Sequence, residues 1–196
     1  MRTPSEYIAA AVRRVQSSLM PDCKATMTYG AYSGVVTRVS TTKRGEDAVS
    51  ADGPTEAARL LTLVSDFPCV KKGSTVWVDD TPHIVPSLRL DPTGASGYVG
   101  ISEALDSYCA NMRRAGTRIS QSINVLAVES DILDSNGDAL APTICRGWFI
   151  GVSCDDWGET TAPQIGDEFE LDAARMRVAA VKKSDGYWLL TCRARR

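Results

Sequence analysis

The chain has 196 residues, 43% of them hydrophobic and 23% charged, with a net charge of −2. This is a globular composition with room for one large domain or two small ones, and its near-neutral charge gives no global case for nucleic acid or an anionic membrane as partner. No run of about 18 apolar residues is present, so no membrane-spanning helix is expected.

Residues 4–19 read as a helix, with Tyr7, Ile8, Ala11, Val12, Val15 and Leu19 forming one stripe. Ser5 is the expected cap and Met20-Pro21 the expected stop. Arg13 and Arg14 interrupt the apolar run, so no signal peptide is expected. The helix either packs on its own domain or docks on a neighbouring subunit. In the second case Tyr7, Arg13 and Arg14 are candidate contacts.

Residues 25–40 are rich in β-branched and aromatic residues and read as strand. The polar stretch 41–58, with Gly45, Gly53 and Pro54, is expected to be a long exposed loop. Loops of this length are binding elements or disordered, and Lys43, Arg44, Glu46 and Asp47 are its candidate subunit contacts. Strand character returns at 59–65, and 70–85 reads as a hairpin. A turn at 91–97 leads to a strand at 98–102.

Residues 102–116, with Leu105, Tyr108, Cys109 and Met112 in helical spacing and Gly116 at the end, read as a short connecting helix. Further strands follow to the C-terminus. The expected fold is mainly β: two similar small β-sandwich or barrel units, with an N-terminal helix and a connecting helix. The expected boundaries are 1–20 for the first helix, 21–102 for the first β-unit, 103–120 for the connector and 121–196 for the second β-unit.

Two segments support a duplication. In VKKGSTVWVDDTPHIV (70–85) and PQIGDEFELDAARMRV (163–178), Gly73 falls on Gly166. Val76 then falls on Phe169, Val78 on Leu171, Asp79 on Asp172 and Val85 on Val178. Upstream, LVSD (63–66) answers GVSCD (151–155). Insertions between such copies belong in loops.

A catalytic constellation is missing. The single histidine, His83, lies on a strand with no serine or cysteine at nucleophile-elbow spacing. DILDSNGDA (131–139) lacks the glycine and glutamate positions of a calcium loop, and Asn136-Gly137 suits a tight turn. GASGYVG (94–100) has no lysine and opens no helix, so it is not a phosphate loop. Six widely spaced cysteines without a CxxC pair point to free thiols rather than disulfides or zinc. No enzyme activity, cofactor or metal is expected.

The acidic residues Asp155, Asp156, Glu159, Asp167, Glu168 and Glu170 read as a solvated face. Around a channel, such a face would keep DNA sliding by like-charge repulsion, and Asp155, Asp156 and Glu159 are the candidates for that role. Basic residues gather early (Arg13, Arg14, Lys43, Arg44) and late (Arg193, Arg195, Arg196), a polarity that suits head-to-tail packing of subunits.

The segment 63–102 resembles the C-terminal half of small head–tail joining proteins of tailed bacteriophages. The matching residues are Asp66, Phe67, Pro68, Gly73, Val76, Val78, Asp79, Val85, Asp91 and Gly94. The second copy departs from the pattern, lacking the Phe-Pro step and carrying a longer acidic loop. The resemblance implies a virion structural protein: a neck subunit, assembled in the host cytoplasm, forming a homo-oligomeric ring between portal or adaptor and tail proteins. DNA would pass through the ring without specific contact, and no membrane is involved. A tail terminator or baseplate ring protein reuses similar modules. A carbohydrate- or peptide-binding β-module, stacking ligands on Trp148, Trp157 and Trp188, is the rival from another class.

Overall fold

The structure is a computed structural model that describes residues 3–39, 49–50, 53–114, 117–134, 143–157, 162–171 and 174–194. The chain divides into two units, one from residues 1–46 and 55–104 and the other from 47–54 and 105–196. The architecture is mainly β, with two similar β-units and an N-terminal helix, as the sequence pattern implies.

Helix α1 (Pro4–Ser18) opens on a capping box. The Thr3 hydroxyl accepts from the Glu6 amide, and the Glu6 carboxylate accepts from the Thr3 amide at 2.7 Å. The cap is therefore Thr3 rather than Ser5, because Pro4 fits the first helical position. A 3-10 turn (Pro21–Cys23) leads into β1 (Lys24–Tyr29) and β2 (Tyr32–Val39). Val12 and Gln16 are the buried face of α1, and Gln16 donates to the Val35 carbonyl at 3.1 Å.

Next come the short strands β3 (Val49–Ser50) and β4 (Gly53–Pro54), then β5 (Ala58–Leu63), β6 (Thr75–Val78), β7 (Thr81–Ile84), β8 (Ser87–Leu90) and β9 (Ser96–Ile101). The first unit's sheet runs β7-β6-β1-β2-β5-β9-β8. Its two end strands, β7 and β8, are halves of one chain segment, parted by Val85 and Pro86. The Ser102 amide donates to the Ile84 carbonyl at 2.9 Å, which joins the end of β9 to β7. Met27, Val36, Leu60, Val76, Val85 and Val99 fill the interior.

In the second unit, β10 (Asp106–Arg114), β11 (Thr117–Asp134), β12 (Thr143–Ser153), β13 (Glu168–Leu171), β14 (Ala174–Ser184) and β15 (Tyr187–Ala194) form a closed barrel of order β10-β11-β12-β15-β14-β13. The four-residue helix α2 (Cys154–Trp157) follows β12. Phe169, Met176, Val178, Ile150 and Leu190 fill this interior.

The expected connecting helix is absent. Residues 106–114 are strand β10, paired with β11 along its whole length and with β13. Tyr108, Ala110 and Met112 are buried while Cys109 is exposed, a period of two rather than 3.6. The helical stripe seen in the sequence is an accident of where these apolar residues fall.

The duplication holds at the level of single hydrogen bonds. Gly73 donates to Val85 (2.7 Å) and Val85 to Ser74 (2.9 Å), while Gly166 donates to Val178 (2.9 Å) and Val178 to Asp167 (2.8 Å). Both glycines have positive φ, 87° and 96°, a conformation that L side chains adopt rarely. Val76, Val78, Val85, Phe169 and Val178 all belong to the two cores; the Leu171 side chain lies outside the described residues.

The pairings equate β1 with β10, β2 with β11, β5 with β12, β6 with β13, β9 with β15, and β7 plus β8 with β14. Pro86, which lacks an amide hydrogen, falls where Ala179 sits in a bulge of β14. The upstream match LVSD to GVSCD is out of register by two. The ladder sets Val64, bonded to Ala95, against Cys154, bonded to Gly186.

The expected long exposed loop is partly buried. Of residues 41–58, Val49 is only 1% exposed and pairs with Pro54, and strand β3 packs on β11 and β12. A Cβ on Gly53 would lie 2.2 Å from the Tyr187 hydroxyl, so glycine is what lets this hairpin lie against β15.

Candidate functional site

Strands β11, β10, β13 and β14 are consecutive neighbours in the second barrel. Their side chains alternate, so those not in the core stand on the outer face. There Asn111, Arg118, Gly166, Glu168, Arg175 and Arg177 line a groove of about 450 Å³ that also reaches the core residue Met112. Three guanidiniums meet two carboxylates, Glu168 in the lining and Glu170 paired with Arg175, so the groove keeps a small positive excess within a chain of net charge −2.

Register fixes the arrangement. Ser120, Asn111, Glu168, Arg177 and Arg193 form one cross-strand row. Arg118 stands two residues along β11 from Ser120, and Arg175 two residues along β14 from Arg177. Arg175 is tied to Glu170 at 3.4 Å. The Arg177 guanidinium lies over Gly166, where a Cβ would come within 3.4 Å of Nη2. Among the described residues, no ion pair engages Arg118 or Arg177. Arg177 and Arg193 are directly opposed on β14 and β15, and like charges in that position are unfavourable.

The first unit serves as an internal control. Its counterparts of Glu168, Arg175, Arg177 and Arg193 are Thr75, Pro82, Ile84 and Ser102. The same strand circuit forms there without one of these arginines, so the fold does not require them.

The residues singled out from the sequence lie elsewhere. Tyr7 and Arg14 are exposed on α1, and Arg13 reaches Asp66 within its own unit at 3.8 Å. Lys43, Arg44, Glu46, Asp47 and Glu159 lie outside the described residues. Asp155 and Asp156 sit in α2. The acidic stretch is not one solvated face: Asp167 is 4% exposed and accepts from the Gln164 amide at 2.8 Å, whereas Glu168 and Glu170 stand beside the arginines.

His83 is half-buried, its Nδ1 2.9 Å from the Ser102 carbonyl. Trp157 is in the core, and Trp148 and Trp188 are partly buried against it. Among the described residues no cluster of three or more metal-ligating side chains occurs, and no helix is long and apolar enough to cross a membrane.

The sequence reading missed Arg118, Arg175 and Arg177. The available signal was ARMRV (174–178), in which arginine takes each outward position of a strand whose inward positions are apolar.

No protein-family model and no curated protein matches the chain. Among solved structures, K. pneumonia MrkH is similar in a P2(1) crystal (TM-score 0.28, 7% identity, 99% of this chain and 85% of that one) and in its apo state (TM-score 0.27, 7% identity, the same coverage). A MrkH–c-di-GMP complex gives a TM-score of 0.24 at 8% identity, over 100% of this chain and 87% of that one. These scores fall below the level of a shared fold.

Proposed function

We propose that this chain is a ligand-binding protein, not a catalyst, and that the outer groove of its second barrel takes a phosphate-bearing small molecule. The convergence of Arg118, Arg175 and Arg177 carries this reading. Guanidinium forks match phosphate oxygens bidentately and stay charged at any physiological pH. The groove volume lies within the range of ligand sites, roughly 300–1,000 Å³.

Isothermal titration with GMP, a phosphomonoester, is a direct first test, with ribose 5-phosphate and pyrophosphate alongside. Binding should weaken as salt rises. Arg177→Ala should cost about 2 kcal/mol or more of affinity, the scale of losing a charge-assisted contact, while leaving the variant folded. Affinity unchanged in Arg177→Ala and Arg118→Ala would overturn the reading.

The phage-neck ring subunit implied by residues 63–102 is the second reading. The exposed apolar residues of the N-terminal segment favour it: Tyr7 is 62% exposed, Val15 46% and Met20 75%. Such a face suits a docking partner. Its test is the oligomeric state, taken up below.

A further inference from the structure

We propose, on the basis of the anion-binding reading, that the groove is specific for nucleotides. Asn111 and Glu168 would read the edge of the base while the arginines hold its phosphate. The two residues are directly opposed across β10 and β13, in the middle of the arginine-flanked row, and both are half-buried. Opposed side chains on one face of a ladder have Cβ atoms about 5 Å apart, so their polar ends can converge on one edge of a ligand.

Their chemistry is complementary. The Ser120 hydroxyl donates to Asn111 Oδ1 at 2.5 Å. This fixes the amide and leaves its NH2 group as the donor available to a ligand. A carboxylate has about four lone-pair sites, so Glu168 keeps accepting capacity beside any partner within the fold. The groove thus sets a donor next to an acceptor, which is the pattern a nucleobase edge answers with its own acceptor and donor.

Glu168 also discriminates against simpler anions. A carboxylate among guanidiniums repels a bare phosphate or pyrophosphate, and a ligand N–H directed at it offsets that repulsion. The first unit has Thr75 in its place and none of the matching arginines, so base reading and anion binding are confined to the same unit.

The test measures affinities of GMP, AMP, CMP, UMP, ribose 5-phosphate and pyrophosphate for the full chain at constant ionic strength, in wild type, Glu168→Gln, Asn111→Ser and Arg177→Ala. At least one base-bearing ligand should bind tenfold or more tightly than ribose 5-phosphate. Glu168→Gln should bring that ratio near one while holding or tightening pyrophosphate. Asn111→Ser should also reduce the ratio, which covers the case in which Glu168→Gln fails to fold. Ribose 5-phosphate binding as tightly as every nucleotide, with both lost in Arg177→Ala, would overturn base reading and leave the anion site standing. A preference unchanged in both base-reading variants would also overturn it. No Arg177-dependent binding of any compound would overturn both proposals.

Discussion

Asp91 shows how much one side chain can organise. Its carboxylate accepts from the amide and hydroxyl of Thr93 and from the amide and hydroxyl of Ser96, closing the turn between β8 and β9. The Thr93 hydroxyl first, then the Ser96 amide, hold its carboxyl far below the usual carboxylate range. A depressed folded-state value means that the stabilisation is full above the unfolded value of about 3.9 and is lost as pH falls through the folded one. Asp91→Asn should therefore lower Tm at pH 7, with a gap to wild type that narrows progressively below about pH 4. A gap constant from pH 7 to pH 2 would show that the carboxylate charge plays no part. The sequence marks Asp91 because a turn with Gly94 needs such an acceptor. It does not mark Arg177, whose importance depends on Gly166 beneath it and Glu168 beside it.

Among the elements, the hairpins were legible and the connector was not. Gly73 and Gly166 stand out because a positive-φ glycine followed by alternating valines has few structural readings. Residues 106–114 misled because Leu105, Tyr108, Cys109 and Met112 satisfy a helical period while Tyr108, Ala110 and Met112 satisfy a strand period. Pairing with β11 and β13 decided between them, and no local pattern contains that information. Val49 and Gly53 were unreadable for the same reason. Their polar neighbours indicate a loop, whereas their burial depends on β11, β12 and Tyr187, far away in the chain. The groove spans four strands and draws on residues from Asn111 to Arg177, so only closure of the barrel assembles it.

At the scale of the whole molecule, two copies of one strand circuit carry different surfaces. The arginine row of the second is replaced in the first by Thr75, Pro82, Ile84 and Ser102, while the interiors stay apolar in both. Thr75, Ile84 and Ser102 are buried whereas Arg175 and Arg177 are exposed, so the same ladder positions are covered in one unit and open to a ligand in the other. The neck-subunit reading makes a separate demand, a ring. Native mass spectrometry at micromolar concentration should then give a multiple of 21.1 kDa larger than a dimer; a monomer would weigh against it without touching the groove.

The central claim, that the second unit binds a phosphate-bearing ligand and the first does not, is tested most directly by amide chemical-shift mapping of the full chain titrated with GMP and with ribose 5-phosphate. The account expects saturable shifts at Asn111, Arg118, Gly166, Glu168 and Arg177, with the counterparts Gly73, Thr75 and Ile84 unmoved. Shifts centred on the first unit, or none in either unit at millimolar ligand and low salt, would contradict it.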